Sequence, residues 1–132
     1  MIQIEIYEEF ANWLDNLLEN NEISPERKAF CFNLYEEAPE ENIYSIQLIA
    51  AGAFDPADDG DWACEELWSS DEDVFEIDTS DEDDKSREYA QELFKEMIVE
   101  YLGNGKHGNI LKDGIKGIAL GFIDGNLEYL IK

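Results

Sequence analysis

Basic residues are scarce in this chain: 9 Lys and Arg stand against 33 Asp and Glu among 132 residues, a formal net charge of −24. So little positive charge excludes a direct nucleic-acid binder, which needs a basic footprint to displace counterions from phosphates. It equally excludes docking on an anionic membrane surface. Cysteine is scarce too. Cys31 and Cys64 stand far apart and form neither a disulfide framework nor a four-cysteine zinc set, so they read as two buried or half-buried free thiols in a reducing cytosol. No apolar run approaches the roughly 20 residues of a membrane span. Met1 is followed by Ile-Gln-Ile-Glu and an acidic helix, not by a basic patch and an apolar stretch, which reads as the absence of a signal peptide and a cytoplasmic location.

What is present argues for a packed domain. Hydrophobic residues make up 44% of the chain, with 3 Trp, 6 Tyr and 7 Phe, too many for an acidic disordered tail. The length suits a single domain spanning residues 1–132. Phe10, Trp13, Leu14, Leu17 and Leu18 recur at helical spacing over Ile6–Asn20. From Lys28 to Glu36 the period becomes two. Phe30, Phe32 and Leu34 fall on one face and Cys31, Asn33 and Tyr35 on the other. Ile43–Phe54 alternates in the same way, Tyr44, Ile46 and Leu48 against Ser45, Gln47 and Ile49. Two antiparallel strands joined by the acidic, Pro-containing turn are expected.

Ser80 reads as the N-cap of a helix running to about Leu102, with Asp81–Asp84 favouring the positive end of its dipole. Ala90, Leu93, Phe94, Met97, Ile98, Tyr101 and Leu102 form its apolar stripe, and Gly103-Asn104-Gly105 stops it. Gly105–Lys116 fits a short helix or a loop. Asp124-Gly125 is a two-residue hairpin turn that pairs Phe122 with Leu127, Leu120 with Tyr129 and Ile118 with Ile131. The expected fold is therefore α+β: a mainly antiparallel sheet of about four to six strands with two packed helices.

Between Asp55 and Asp84, fifteen of thirty residues are acidic and none is basic, yet Trp62, Leu67, Trp68, Val74, Phe75 and Ile77 are interspersed. A solvated linker does not need such anchors. A loop or helical turn around Trp62–Trp68 and a short strand near Val74–Ile77 would hold the acids in a fixed layout. Aromatic anchors rimmed by carboxylates suit a basic protein partner, and the candidate binding residues are Asp55, Asp58, Asp59, Asp61, Trp62, Glu65, Glu66, Asp71, Glu72 and Asp73. Trp68 reads as core. Solubility needs a net charge of only roughly 2–8, so the excess points to a partner that relieves it.

Other chemistries are thinly represented. The single His107 sits in a Gly/Lys-rich stretch and reads as a solvated loop residue, without a Ser or Cys in a nucleophile setting, so no catalytic residue and no cofactor is assigned. Gly103–Gly108 follows a helix and does not bridge a strand to a helix as a phosphate loop does. Asp55–Glu66 places Asp, Asp, Gly and Glu at positions 1, 5, 6 and 12 of an EF-hand-like calcium loop, although position 3 is Ala57 and the preceding segment looks like a strand. Calcium binding and a nucleic-acid-mimicking inhibitor are the alternatives to a protein-binding domain.

In size, acidity and element order, with Asp61-Trp62-Ala63-Cys64-Glu65 and the closing Gly121-Phe122-Ile123-Asp124-Gly125, the chain resembles the small acidic immunity proteins of bacterial polymorphic-toxin systems. The resemblance implies an α+β domain in the cytoplasm that neutralises a cognate toxin, often a basic nuclease, by blocking its active site or substrate channel.

Overall fold

The structure, a computed structural model, describes residues 4–23, 25–38, 42–55, 57, 61–79, 86–122 and 127–131. Its elements in chain order are α1 (Ile4–Asn20), β1 (Ala29–Ala38), β2 (Ile43–Ala51), a 3₁₀ turn (Asp61–Cys64), β3 (Glu66–Ser69), β4 (Phe75–Asp78), α2 (Arg87–Asn104), α3 (Gly108–Lys112), β5 (Gly117–Phe122) and β6 (Glu128–Ile131). This is the α+β architecture expected. The six strands form one mostly antiparallel sheet of order β3-β2-β1-β5-β6, and β4 also pairs with β2 beyond the end of β3.

Strand alternation decides which face the helices cover. Phe30, Phe32 and Leu34 of β1, Ile46 and Leu48 of β2, and Ile118 and Leu120 of β5 all point to one side and are fully buried. Phe10 and Leu14 of α1 and Phe94, Met97, Ile98 and Tyr101 of α2 close over them. Each such side chain contributes roughly 1.5–3 kcal/mol by leaving water, which makes this layer the main source of stability. Asn21 finishes α1 by donating its side-chain N–H to the Leu17 carbonyl at 3.0 Å.

Several expectations need correction. The cap of α2 is Ser86, not Ser80: its extended backbone (φ −72°, ψ 162°) and its Oγ, which accepts from the Tyr89 N–H, start the helix at Arg87. The segment Ser80–Lys85 lies outside the described residues, as does the Asp124-Gly125 turn. Gly105–Lys116 contains a short helix, α3. β1 and β5 are parallel, paired from Ala29↔Gly117 to Leu34↔Phe122, and the intervening strands and helices make the connection. The expected register of β6 holds only at Ile118↔Ile131. A bulge then sets Tyr129 opposite Ala119 and Glu128 opposite Leu120. The shift has a physical reason on each face. Glu128 reaches Lys95 (2.6 Å) and Gln91 (3.1 Å) of α2, while Tyr129 turns to the other side of the sheet.

Among the described residues, no helix is long and apolar enough to cross a membrane.

Candidate functional site

The sheet face away from the helices divides into two halves. Near the start of β1 it is floored by small side chains, Ala29, Cys31, Ala51, Gly117 and Ala119, with Ile49 beside them. The segment after β2 folds back into this shallow socket. Phe54 and Trp62 meet edge to face at 5.0 Å between ring centroids, and Phe54 meets Tyr129 at 5.9 Å. The Trp62 indole N–H donates to the Tyr129 hydroxyl at 3.2 Å. Trp62 is only 2% exposed, so this half is sealed.

Further along, the same face is polar and open. Here β1 and β2 present Asn33, Tyr35, Ser45 and Gln47, and β4 adds Glu76 opposite Ser45. The Gln47 Oε1 accepts from the Asn33 amide (3.2 Å) and the Tyr35 hydroxyl (3.1 Å), while its Nε2 donates to the Asp71 carbonyl (3.1 Å). The Ser45 hydroxyl donates to Glu37 at 2.6 Å. Asp71 takes a left-handed φ of 52° in the turn from β3 to β4, a conformation Asp accepts more readily than most residues. Around this floor lies a groove of about 340 Å³ lined by Tyr35, Glu37, Gln47, Asp71, Glu72, Val74 and Glu76. Four of the seven are carboxylates and none is basic. Burial pushes the Tyr35 phenol above its ordinary 10.0, and the charges of Glu37 and Glu66 add to the effect. The groove therefore offers carboxylate oxygens above a braced floor, an array suited to N–H donors of ammonium or guanidinium groups.

The candidate residues from the sequence separate in space. Asp71 and Glu72 line the open groove, whereas Glu66 begins β3 opposite Ala51, exposed and outside that lining. Asp73 turns instead toward α1, where its Oδ1 accepts from the Trp13 indole at 3.1 Å. Asp55 is exposed and accepts the Ala57 backbone N–H in a local turn, and Glu65 is exposed beside the 3₁₀ turn. Asp58 and Asp59 lie outside the described residues, as does the Asp61 side chain. Trp62 is corrected outright: it is a core residue of the sealed half, because the small-residue socket accepts its ring, and it offers a partner no surface.

Sequence reasoning missed Glu37 and Glu76 as groove residues. Their signal was strand parity, since Glu76 alternates with Phe75 and Ile77 and so must face away from the helices.

Burial raises the Cys31 thiol to about 12, leaving it protonated and inert at neutral pH. Cys64 is exposed, contrary to the expected burial of both thiols. His107 is not a free loop residue. Its Nε2 lies 3.0 Å from Glu19, which also binds Lys106 at 3.1 Å. Among the described residues no group of three or more His, Cys, Asp or Glu is arranged to hold a metal ion, and part of the EF-hand-like stretch, Asp58–Gly60, lies outside them.

No family model matches this chain, and no curated protein or solved structure is similar to it.

Proposed function

We propose that this is an acidic protein-binding domain that neutralises a basic protein by occupying it, in the manner of an immunity protein acting on a cognate cytoplasmic toxin such as a nuclease. The observation that carries the reading is the acid-walled groove on the uncovered half of the sheet, where four carboxylates face one space without a basic side chain among its lining. Four like charges held together repel one another, and a Lys- or Arg-rich surface relieves that repulsion as it binds. The same lysines and arginines would otherwise hold nucleic-acid phosphates, so occupying them blocks a nuclease without any catalytic step. The net charge of −24 adds long-range steering.

The test needs a basic toxin encoded beside this protein's gene and a measurement of association rate against salt. Steering of this kind raises the rate by roughly 10–1000-fold at low ionic strength. Glu37→Gln/Glu72→Gln/Glu76→Gln is expected to slow association and flatten its salt dependence, whereas Asp55→Asn/Glu65→Gln, away from the groove, changes it little. A groove variant that associates and protects as the wild type does refutes the assignment. Equal inhibition of unrelated DNA-binding proteins would indicate a general nucleic-acid mimic instead.

A further inference from the structure

At the opposite end of the sheet the sign of the charge reverses. Among the seven described Lys and Arg residues, three meet carboxylates in ion pairs. Arg87 meets Glu36 at 2.7 Å, Lys95 meets Glu128 at 2.6 Å and Lys106 meets Glu19 at 3.1 Å. Lys28, Lys112 and Lys116 have no carboxylate within ion-pair distance among the described residues.

Topology puts two of these three side by side. β1 and β5 are the parallel pair, in register at Ala29↔Gly117, so the residues preceding each strand are neighbours. The Lys116 N–H donates to the Lys28 carbonyl at 2.7 Å. Both lysines, with Arg27, line a cleft of about 520 Å³, within the size range of small-molecule sites. Arg27 is already fixed there: its guanidinium donates to the Ile110 carbonyl at 3.0 Å and lies 5.9 Å from the Phe30 ring centre. The one carboxylate in the lining is Glu26, so cations outnumber acids three to one in the cleft of a strongly acidic protein.

The rest of the wall is apolar. Leu67 of β3 is 43% exposed, one of two large hydrophobic side chains left in solvent among the described residues, and Pro25 also lines the cleft. Gly114 (φ +73°) turns the chain between α3 and β5, and the space beside it is open.

The geometry points to a binding site for a small organic anion, whose phosphate or carboxylate head lies between Lys28 and Lys116 and whose apolar body rests on Leu67. This site is separate from the acidic groove and does not depend on the function proposed for it. The head group supplies the counter-charge that the fold withholds from the two ammonium groups. Glu26 in the lining, and Glu65 and Glu66 beside Gly52 and Leu67, oppose the anion locally, while repulsion from carboxylates farther away is screened over a Debye length of about 8 Å at physiological salt.

The test is a titration of the isotope-labelled full chain, followed by amide chemical shifts, with phenyl phosphate, benzoate, inorganic phosphate and, at matched ionic strength, sodium chloride. Saturable shifts centred on Lys28, Gly52, Gly114 and Lys116 are expected with phenyl phosphate or benzoate at a Kd of about 1 mM or tighter. The tighter of the two identifies the head group. Phenyl phosphate should bind more tightly than inorganic phosphate, and Leu67→Ser should remove that difference. Lys28→Gln/Lys116→Gln should weaken binding by about tenfold or more with unchanged thermal stability, and Lys112→Gln, outside the cleft, should leave it as it was. Shifts reproduced by chloride, absence of saturation with either aromatic anion, or undiminished binding by the double-lysine variant would each overturn the site. Loss of toxin binding on groove substitution is read separately and bears only on the other proposal.

Discussion

Gly117→Ala tests how the two halves of the open face are divided. Gly117 begins β5 opposite Ala29, and its φ lies outside the left-handed region, so alanine adds no backbone strain. In free strand geometry the substitution would even gain about 0.4–1 kcal/mol by restricting the unfolded chain. Here the new methyl would run into the far edge of the Phe54 ring, closer than any real contact. Phe54 must swing out, and because it packs edge to face on both Trp62 and Tyr129, the seal loosens with it. Overpacking of this kind costs about 1–3 kcal/mol, or about 3–4 °C of melting temperature per kcal/mol in a domain of this size. The decisive measurement is a double-mutant cycle by urea denaturation with Phe54→Ala. Once the ring is gone, Gly117→Ala should cost almost nothing, a coupling of about 1–3 kcal/mol. An equal cost in both backgrounds would refute the claim that the aromatic lid is seated on a floor of small residues.

Three further outcomes follow from the same geometry. At pH 8 a thiol reagent should modify the exposed Cys64 rapidly and the buried Cys31 only after denaturation; two equally fast thiols would contradict the sealed half. Tyr101→Phe removes the hydroxyl that donates to Asp15 at 2.6 Å and accepts the His107 N–H at 3.3 Å, and should lower stability by about 1–2 kcal/mol in urea titration, with an unshifted midpoint as the refuting result. The hydrogen bond from Lys95 holds Glu128 below its ordinary 4.5, so the pair contributes stability above that pH and loses it as pH falls through the depressed value. The gap between wild type and Glu128→Gln should therefore close in acid, and a gap that persists at low pH would show the pair is not its source.

Local pattern made much of this fold readable. The alternation of Phe30, Phe32 and Leu34 with Cys31, Asn33 and Tyr35 identified both faces of β1, and the stripe from Ala90 to Tyr101 identified the buried side of α2. Non-local pairing was not readable. Nothing within β5 says that it runs parallel to β1, and the bulge in β6 depends on Tyr129 finding Trp62 across the sheet. The acidic segment misled for a related reason. Acids next to Trp62 suggested an exposed anchor, whereas its environment is decided by Ala29, Cys31, Ala51, Gly117 and Ala119 on three other strands. Small residues at matching positions of neighbouring strands are a signal for a covering lid, but it emerges only once the strand order is known.

Half of one sheet face is sealed by aromatics and half is lined with acid, and the two arrangements support one another. A groove that keeps Glu37, Asp71, Glu72 and Glu76 together gathers like charges in the folded state. The helix-covered core and the lid supply the stability that lets the fold carry this load. The bracing of the floor serves the same end, because Gln47, held by Asn33, Tyr35 and the Asp71 carbonyl, ties the β3–β4 turn to the strands beneath it. Carboxylates free to move apart would shed their repulsion before a partner arrived. Under the proposed function, carboxylates kept together would release that repulsion when positive charge binds, so that repulsion in the free domain would become a source of affinity in the complex.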